Sequence, residues 1–434
     1  MKTFGRILEF GYYSILLYSI FNFIVSKEKK NSTEEASPAI FPDELMVEIV
    51  SWLPVKYVMQ LRCVNKFFNT LIFDPHFIQM HLNKSAQNSQ LALICFKSES
   101  RDDPEDSDDP KDWSHSMITL SIPCLLQNIF TIFHHSDPYY LLSEYPHVFR
   151  WVVGSCNGLL CLFGASCSCP SDQWLYIWNP AMRKESKKLA LFFDMHSNPN
   201  FNFSFGYDNS TQTYKVVAFY VEVKPGRNPK SVVKVFSLGD NSWRDIQCLH
   251  VLPLYCLLDI NNNKNDGVHL NGTINWFAFH NGININIKSI VPVDQCVILS
   301  LDLSTETYAK LLLPRRFDKV STRYLPKLVV LMDCLCFCHD FENTHFVIWQ
   351  MKNFGVEDSW IQLFKISYEH FYTWMDPLPL YLSENGDTLV LANVKRKEAF
   401  IYNCRDNKVE KIGIAKHIKW SQTKGYIESL VSTH

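Results

Sequence analysis

Two hydrophobic rhythms divide the chain. Between residues 41 and 82 the apolar positions follow a helical period: Leu45, Ile49, Trp52 and Leu53 recur at i, i+4, i+7 and i+8, one stripe on one helix face. Pro42 suits a first helical turn, where a missing N–H costs nothing, and Asp43 and Glu44 complement the positive end of the helix dipole. Pro54 biases Leu53 out of helical geometry, so the helix stops there. A second stripe, Val58, Leu61 and Val64 with Phe68, restarts at once. Asp74-Pro75 then predicts an N-cap and a proline-started helix running to Leu82. The pattern is that of three to four short helices.

From Leu91 onward the period becomes two, in short apolar runs broken by turns. One unit recurs: an apolar strand, a polar turn, then a strand carrying an aromatic or basic residue. It begins at Ile177, Val235, Ser300, Ile348 and Ile401, so successive copies lie 48 to 65 residues apart. That spacing approximates the ~40 to 50 residues of a propeller blade with loop insertions. Asn271-Gly272 between alternating strands is a strong hairpin signal, and Glu384-Asn385-Gly386-Asp387 repeats it. The expectation is an all-β domain over 91–415, propeller-like or otherwise made of closed antiparallel β repeats, with 416–434 as a C-terminal tail. Ahead of the helices, residues 1–40 read as an apolar segment and a polar linker. Phe10 to Ser26 carries no charge and is flanked by Lys2, Arg6, Lys27, Lys29 and Lys30.

Composition narrows the function classes. Hydrophobic residues make up 47% of the chain and charged ones 20%, a globular balance. A formal net charge of −2 supplies no field to draw the protein onto nucleic acid or an anionic membrane. Fourteen cysteines without framework spacing fit reduced thiols in the cytoplasm or nucleus. Cys334, Cys336 and Cys338 alternate, so on a strand they share one side, whereas a zinc site needs four converging ligands. Asp259, Asn261 and Asn263 open like a calcium loop, but Lys264 replaces the required glycine and Leu270 the bidentate glutamate. Neither a nucleophile elbow nor a phosphate loop occurs. No catalytic, cofactor-binding or metal-ligating residue is expected.

Phe41-Pro42-Asp43-Glu44-Leu45, Leu53-Pro54-Val55-Lys56, Leu61-Arg62-Cys63-Val64-Asn65-Lys66 and Asp74-Pro75-His76-Phe77 resemble an F-box. Beyond them, Gly154-Ser155-Cys156-Asn157-Gly158, Trp178-Asn179-Pro180, Phe205-Gly206-Tyr207-Asp208 and Leu270-Asn271-Gly272 with Trp276 resemble the F-box-associated domain of plant F-box/kelch-type proteins. Phe41 stands where that family has leucine and Phe68 where it has tryptophan, and the Gly-Gly doublet of kelch blades is missing. The resemblance implies a substrate-recognition subunit of an SCF-type ubiquitin ligase, bridging the Skp adaptor, and through it cullin and RING subunits, to a target protein. The residues it implies for adaptor contact are Pro42, Leu45, Ile49, Leu53, Pro54, Val55, Leu61 and Val64. Target contact is expected on loops such as 102–112, 192–202, 222–230 and 281–294. Two alternatives stand beside this: a membrane-anchored F-box adaptor using residues 10–26, and a β-propeller enzyme or metalloprotein.

Overall fold

The computed structural model describes residues 42–98, 113–126, 140–141, 148–166, 173–189, 202–222, 230–246, 251–253, 267–280, 290–321, 326–371, 376–394, 396, 398–412 and 420–433. The apolar run 10–26, the calcium-loop mimic at 259–263 and the acidic stretch 102–112 lie outside these residues.

Four helices come first: α1 (Asp43–Ser51), α2 (Val55–Leu61), α3 (Lys66–Leu71) and α4 (Pro75–Ser85). Their boundaries obey local chemistry. Pro42 and Pro54 stand at the N-caps of α1 and α2. The Asn65 carboxamide accepts the Phe68 N–H at 3.0 Å, and the Asp74 carboxylate accepts the Phe77 N–H at 2.8 Å, each satisfying a donor that the helix itself leaves free.

Six antiparallel blades follow. The innermost strands are Lys424–Tyr426, Val148–Cys156, Asn202–Asp208, Val268–Leu270, Lys327–Leu331 and Pro377–Leu382, and each touches the next around a closed ring. Blade 1 is completed from both ends of the described chain, because Gln90–Ala92 pairs with Lys424–Tyr426 on one side and Gln90–Ser98 with Trp113–Ser121 on the other. The segment set apart in the sequence as a tail, 416–434, therefore holds an inner strand. Supplying the inner strand in this way leaves blade 1 only a short, three-residue inner edge.

The recurring sequence unit is the hairpin joining the third and fourth strands of blades 2 to 6, and in blades 2, 4 and 6 its turns are built alike. In blade 4 the Asp302 carboxylate accepts the N–H groups of Ser304 (2.8 Å) and Thr305 (2.9 Å), while Glu306 takes φ 55°. In blade 6 Asn403 accepts from Arg405 (3.0 Å) and Asn407 has φ 52°; in blade 2 Asn179 accepts from Met182 (3.1 Å) and Arg183 has φ 55°. A short Asx side chain substitutes for a backbone partner and lets the chain reverse tightly. Between first and second strands, Asn157-Gly158 and Asn271-Gly272 have positive φ at both positions, the two-residue turn whose twist matches paired strands.

Each blade-to-blade interface has its own apolar cluster. Blades 2 and 3 close over Cys161, Phe163, Phe203 and Phe205, blades 3 and 4 over Phe219, Val235 and Trp276, and blades 4 and 5 over Phe277, Phe317 and Phe337. Cys336 and Cys338 face blade 6 among Phe364, Leu389 and Phe400, and burial pushes the Cys336 thiol up to about 12. Among the described residues no group of three His, Cys, Asp or Glu converges as a metal site would require.

One polar lock supplements these cores. Lys215 and Asp208 of blade 3 are both buried, 2.9 Å apart; Lys215 also reaches Glu306 of blade 4 at 3.2 Å and the Leu303 carbonyl. Arg244 grips Glu306 through Nε, 3.1 and 3.0 Å from its two oxygens, and reaches Asp240 at 3.2 Å. Burial alone would raise the Asp208 carboxyl, but the Thr211 hydroxyl, the Lys215 ammonium and Ser210 more than offset it, holding it well below the carboxylate range.

Candidate adaptor-docking face and receptor face

The helical module turns one set of apolar side chains inward and leaves another outside. Met46, Val50, Leu53, Val55, Val58, Leu61, Phe68, Ile72 and Phe77 form its core. Leu45, Trp52, Phe67 and Phe73 stay outside at 49%, 48%, 37% and 52% exposure. The buried His81 donates from Nε2 to the Leu53 carbonyl at 2.9 Å, since a carbonyl can only accept, and this pins the α1–α2 corner against α4. At the rim, Trp52 donates to Glu48 (3.3 Å), Lys84 pairs with Glu48, and the Lys84 ammonium lies 4.2 Å from the centroid of the Trp52 ring.

The eight residues singled out in the sequence divide on this geometry. Leu53, Val55 and Leu61 sit inside the core; Pro42 and Leu45 are exposed; Ile49, Pro54 and Val64 are half-buried. Sequence reasoning did not select Trp52, Phe67 or Phe73 as contact residues. The adjacent Phe67 and Phe68 carried a usable signal, because two neighbouring helical positions cannot both face one core. Likewise Met46 and Val50, rather than Leu45 and Trp52, are the inward positions of α1.

The module rests against one end of the propeller. Ala181 and Met182, in the third-to-fourth-strand turn of blade 2, pack on its core, and so does Leu430. First-to-second-strand turns, such as Asn157-Gly158, lie at this same end because consecutive strands are antiparallel. Second-to-third-strand connections and links between blades therefore emerge at the opposite end, where Ser98 pairs with Trp113 and Glu222 with Lys230. The loops expected to contact a target, 102–112 and most of 192–202, 222–230 and 281–294, fall outside the described residues, but their flanking strands end at that far face.

Among the described residues no metal-type cluster of His, Cys, Asp or Glu accompanies the two faces. The nearest approach is Cys156 and His269 on inner strands of blades 2 and 4, with Sγ 3.6 Å from Nδ1. His269 Nε2 lies 3.2 Å from the Tyr207 nitrogen and 3.4 Å from the Tyr207 carbonyl oxygen, so the Tyr207 backbone holds the ring with Nδ1 toward the sulfur. Burial pushes the Cys156 thiol up to about 12 and the imidazole down, which keeps both neutral.

The structure is thus a short helical module with exposed apolar side chains, mounted on a closed six-bladed propeller. Residues 40–80 match the F-box domain and residues 118–433 match the F-box associated beta propeller domain. The chain belongs to this F-box-associated propeller family. It is 25% identical to an F-box/kelch-repeat protein of Arabidopsis thaliana over 87% of this chain and 92% of the relative. It is 24% identical to the F-box protein CPR1 of Arabidopsis thaliana, over 82% of this chain and 81% of the relative. Among solved structures it is similar to an acylaminoacyl peptidase of Pyrococcus horikoshii, with a TM-score of 0.38, 8% identity, and coverage of 75% of this chain and 44% of that one. A likeness that weak carries no argument about activity.

Proposed function

We propose that the protein is the substrate receptor of an SCF-type ubiquitin ligase. The F-box face takes the Skp adaptor, which links it to cullin and RING subunits, and the far face of the propeller takes a target protein for ubiquitination and proteasomal degradation. The observation that carries the reading is the exposed apolar set Leu45, Trp52, Phe67 and Phe73 on a module whose core is otherwise filled. Such a set marks a protein-binding surface. Of the eight residues implied by the resemblance, Pro42, Leu45, Ile49, Pro54 and Val64 would touch the adaptor, whereas Leu53, Val55 and Leu61 would act by shaping the module. The receptor works by proximity: holding a target lysine near a loaded conjugating enzyme raises its effective concentration without local acid–base chemistry. The cytoplasm or nucleus is the compartment this role requires. No helix among the described residues is long and apolar enough to cross a membrane.

The test is co-purification with a Skp adaptor. Leu45→Asp with Pro54→Ala should abolish recovery while the protein melts like the parent; equal recovery by both would overturn the reading.

A further inference from the structure

The segment 427–433 does more than trail from the last inner strand. It crosses beneath blade 2 and enters the F-box. Its Glu428 carboxylate accepts the Val55 N–H at 3.0 Å, capping α2, whose Pro54 N-cap offers no side-chain acceptor. Leu430, 2% exposed, completes the F-box core beside Val50, Leu53 and Val58. Between these anchors, the buried Asn179 of blade 2 donates to the carbonyls of Ser429 (3.0 Å) and Val431 (2.8 Å). The approach to blade 2 is close, since a Cβ on Gly158 would lie 2.4 Å from Ser429 Oγ and 2.7 Å from the Ile427 carbonyl. Three bodies thus share one strand of chain: blade 1 through Lys424–Tyr426, blade 2 through Asn179, and the F-box through Glu428 and Leu430.

We infer that 427–433 is a positioning strap. It fixes the bearing of the adaptor-docking face relative to the propeller, and so sets where a captured target is presented to the ligase. The inference rests on the receptor reading, with Glu428, Leu430 and Asn179 as positioning residues rather than contacts of adaptor or target. Among the described residues, without the strap the direct F-box attachment would be the chain between α4 and blade 1 together with the contact of Ala181 and Met182. A single covalent link with a small apolar contact permits rotation, and proximity catalysis is sensitive to such freedom.

The test measures geometry in the free full-length chain, so it does not depend on adaptor binding. Nitroxide labels attached to a keto amino acid at Lys66 of α3 and Lys310 of blade 4, both exposed, report one distance by double electron–electron resonance. The parent should give one narrow distribution. Asn179→Ala, which removes the propeller's hydrogen bonds to the strap together with the turn bond to Met182, should broaden it at least twofold, as should Glu428→Ala, which leaves that turn untouched. Glu428→Gln, which keeps an acceptor for the Val55 N–H, should retain the parent width. A broad parent distribution, or parent-like widths for both alanine variants, would overturn the strap. Lost adaptor capture with a narrow distance would instead count against the receptor reading alone.

Discussion

The F-box and the propeller solve the problem of a hydrophobic core in opposite ways. The propeller closes on itself: six interfaces each bury their own cluster, the ring has no open end, and a buried charge lock joins blades 3 and 4. The helical module is about the size at which a domain stops folding readily alone. It borrows Leu430 and Glu428 from the far end of the chain and still leaves four large apolar side chains outside. Self-sufficiency suits a scaffold, and incompleteness suits a module meant to be finished by a partner.

Substitutions in order of expected effect on stability sharpen that contrast. Lys215→Met leaves the Asp208 carboxylate buried without its cation and should cost about 3–5 kcal/mol, read as a lower urea midpoint for the propeller. Leu430→Ala should cost about 2–5 kcal/mol, and hydrogen exchange should place the loss in α1–α4 rather than in the blades. Equal loosening of both regions would contradict the division of labour drawn here. Asp74→Ala removes the α4 cap and should cost about 1 kcal/mol, again confined to the helices. Leu45→Asp should change stability by no more than about 0.5 kcal/mol, while on the proposed function it should abolish recovery of the adaptor.

Acid should act on the propeller lock. The Arg244 guanidinium holds the Glu306 carboxyl below its ordinary 4.5 despite partial burial, with Lys215 adding to the effect. A carboxyl depressed in the fold contributes stability that is present above its unfolded pKa and lost as pH falls through its folded value. Melting temperature should therefore drop as pH falls below about 4.5. In Glu306→Gln that part of the acid sensitivity should disappear.

Much of the architecture was legible because local chemistry and global fold agree. Pro42, Pro54 and Asp74 mark helix starts that backbone angles and hydrogen bonds then honour, whereas the Asn65 cap that separates α3 from α2 shows only in the structure. The units starting at Ile177, Val235, Ser300, Ile348 and Ile401 fall on one hairpin in each of five blades, and in blades 2, 4 and 6 the same Asx turn is rebuilt. Blade 1 escaped that reading because its inner strand is supplied by three residues, Lys424–Tyr426, too few to display a period, from a partner more than three hundred positions away. The facing of α1 escaped for a different reason. Leu45, Met46, Val47, Ile49, Val50, Trp52 and Leu53 are apolar nearly all round, so periodicity alone cannot say which side meets the core. A helix whose two sides are both apolar is what a module with one buried face and one docking face requires.

Pairing Gln90–Ala92 with Lys424–Tyr426 also bears on biosynthesis. While the ribosome is still translating blades 2 to 6, blade 1 lacks its inner strand and the helical module lacks Leu430 and Glu428. Neither region can reach its final state until residues 424–433 have cleared the exit tunnel, and non-local pairing of this kind is slow to form. A prematurely terminated product would thus be deficient at both ends at once, an open ring with an unfinished helical head.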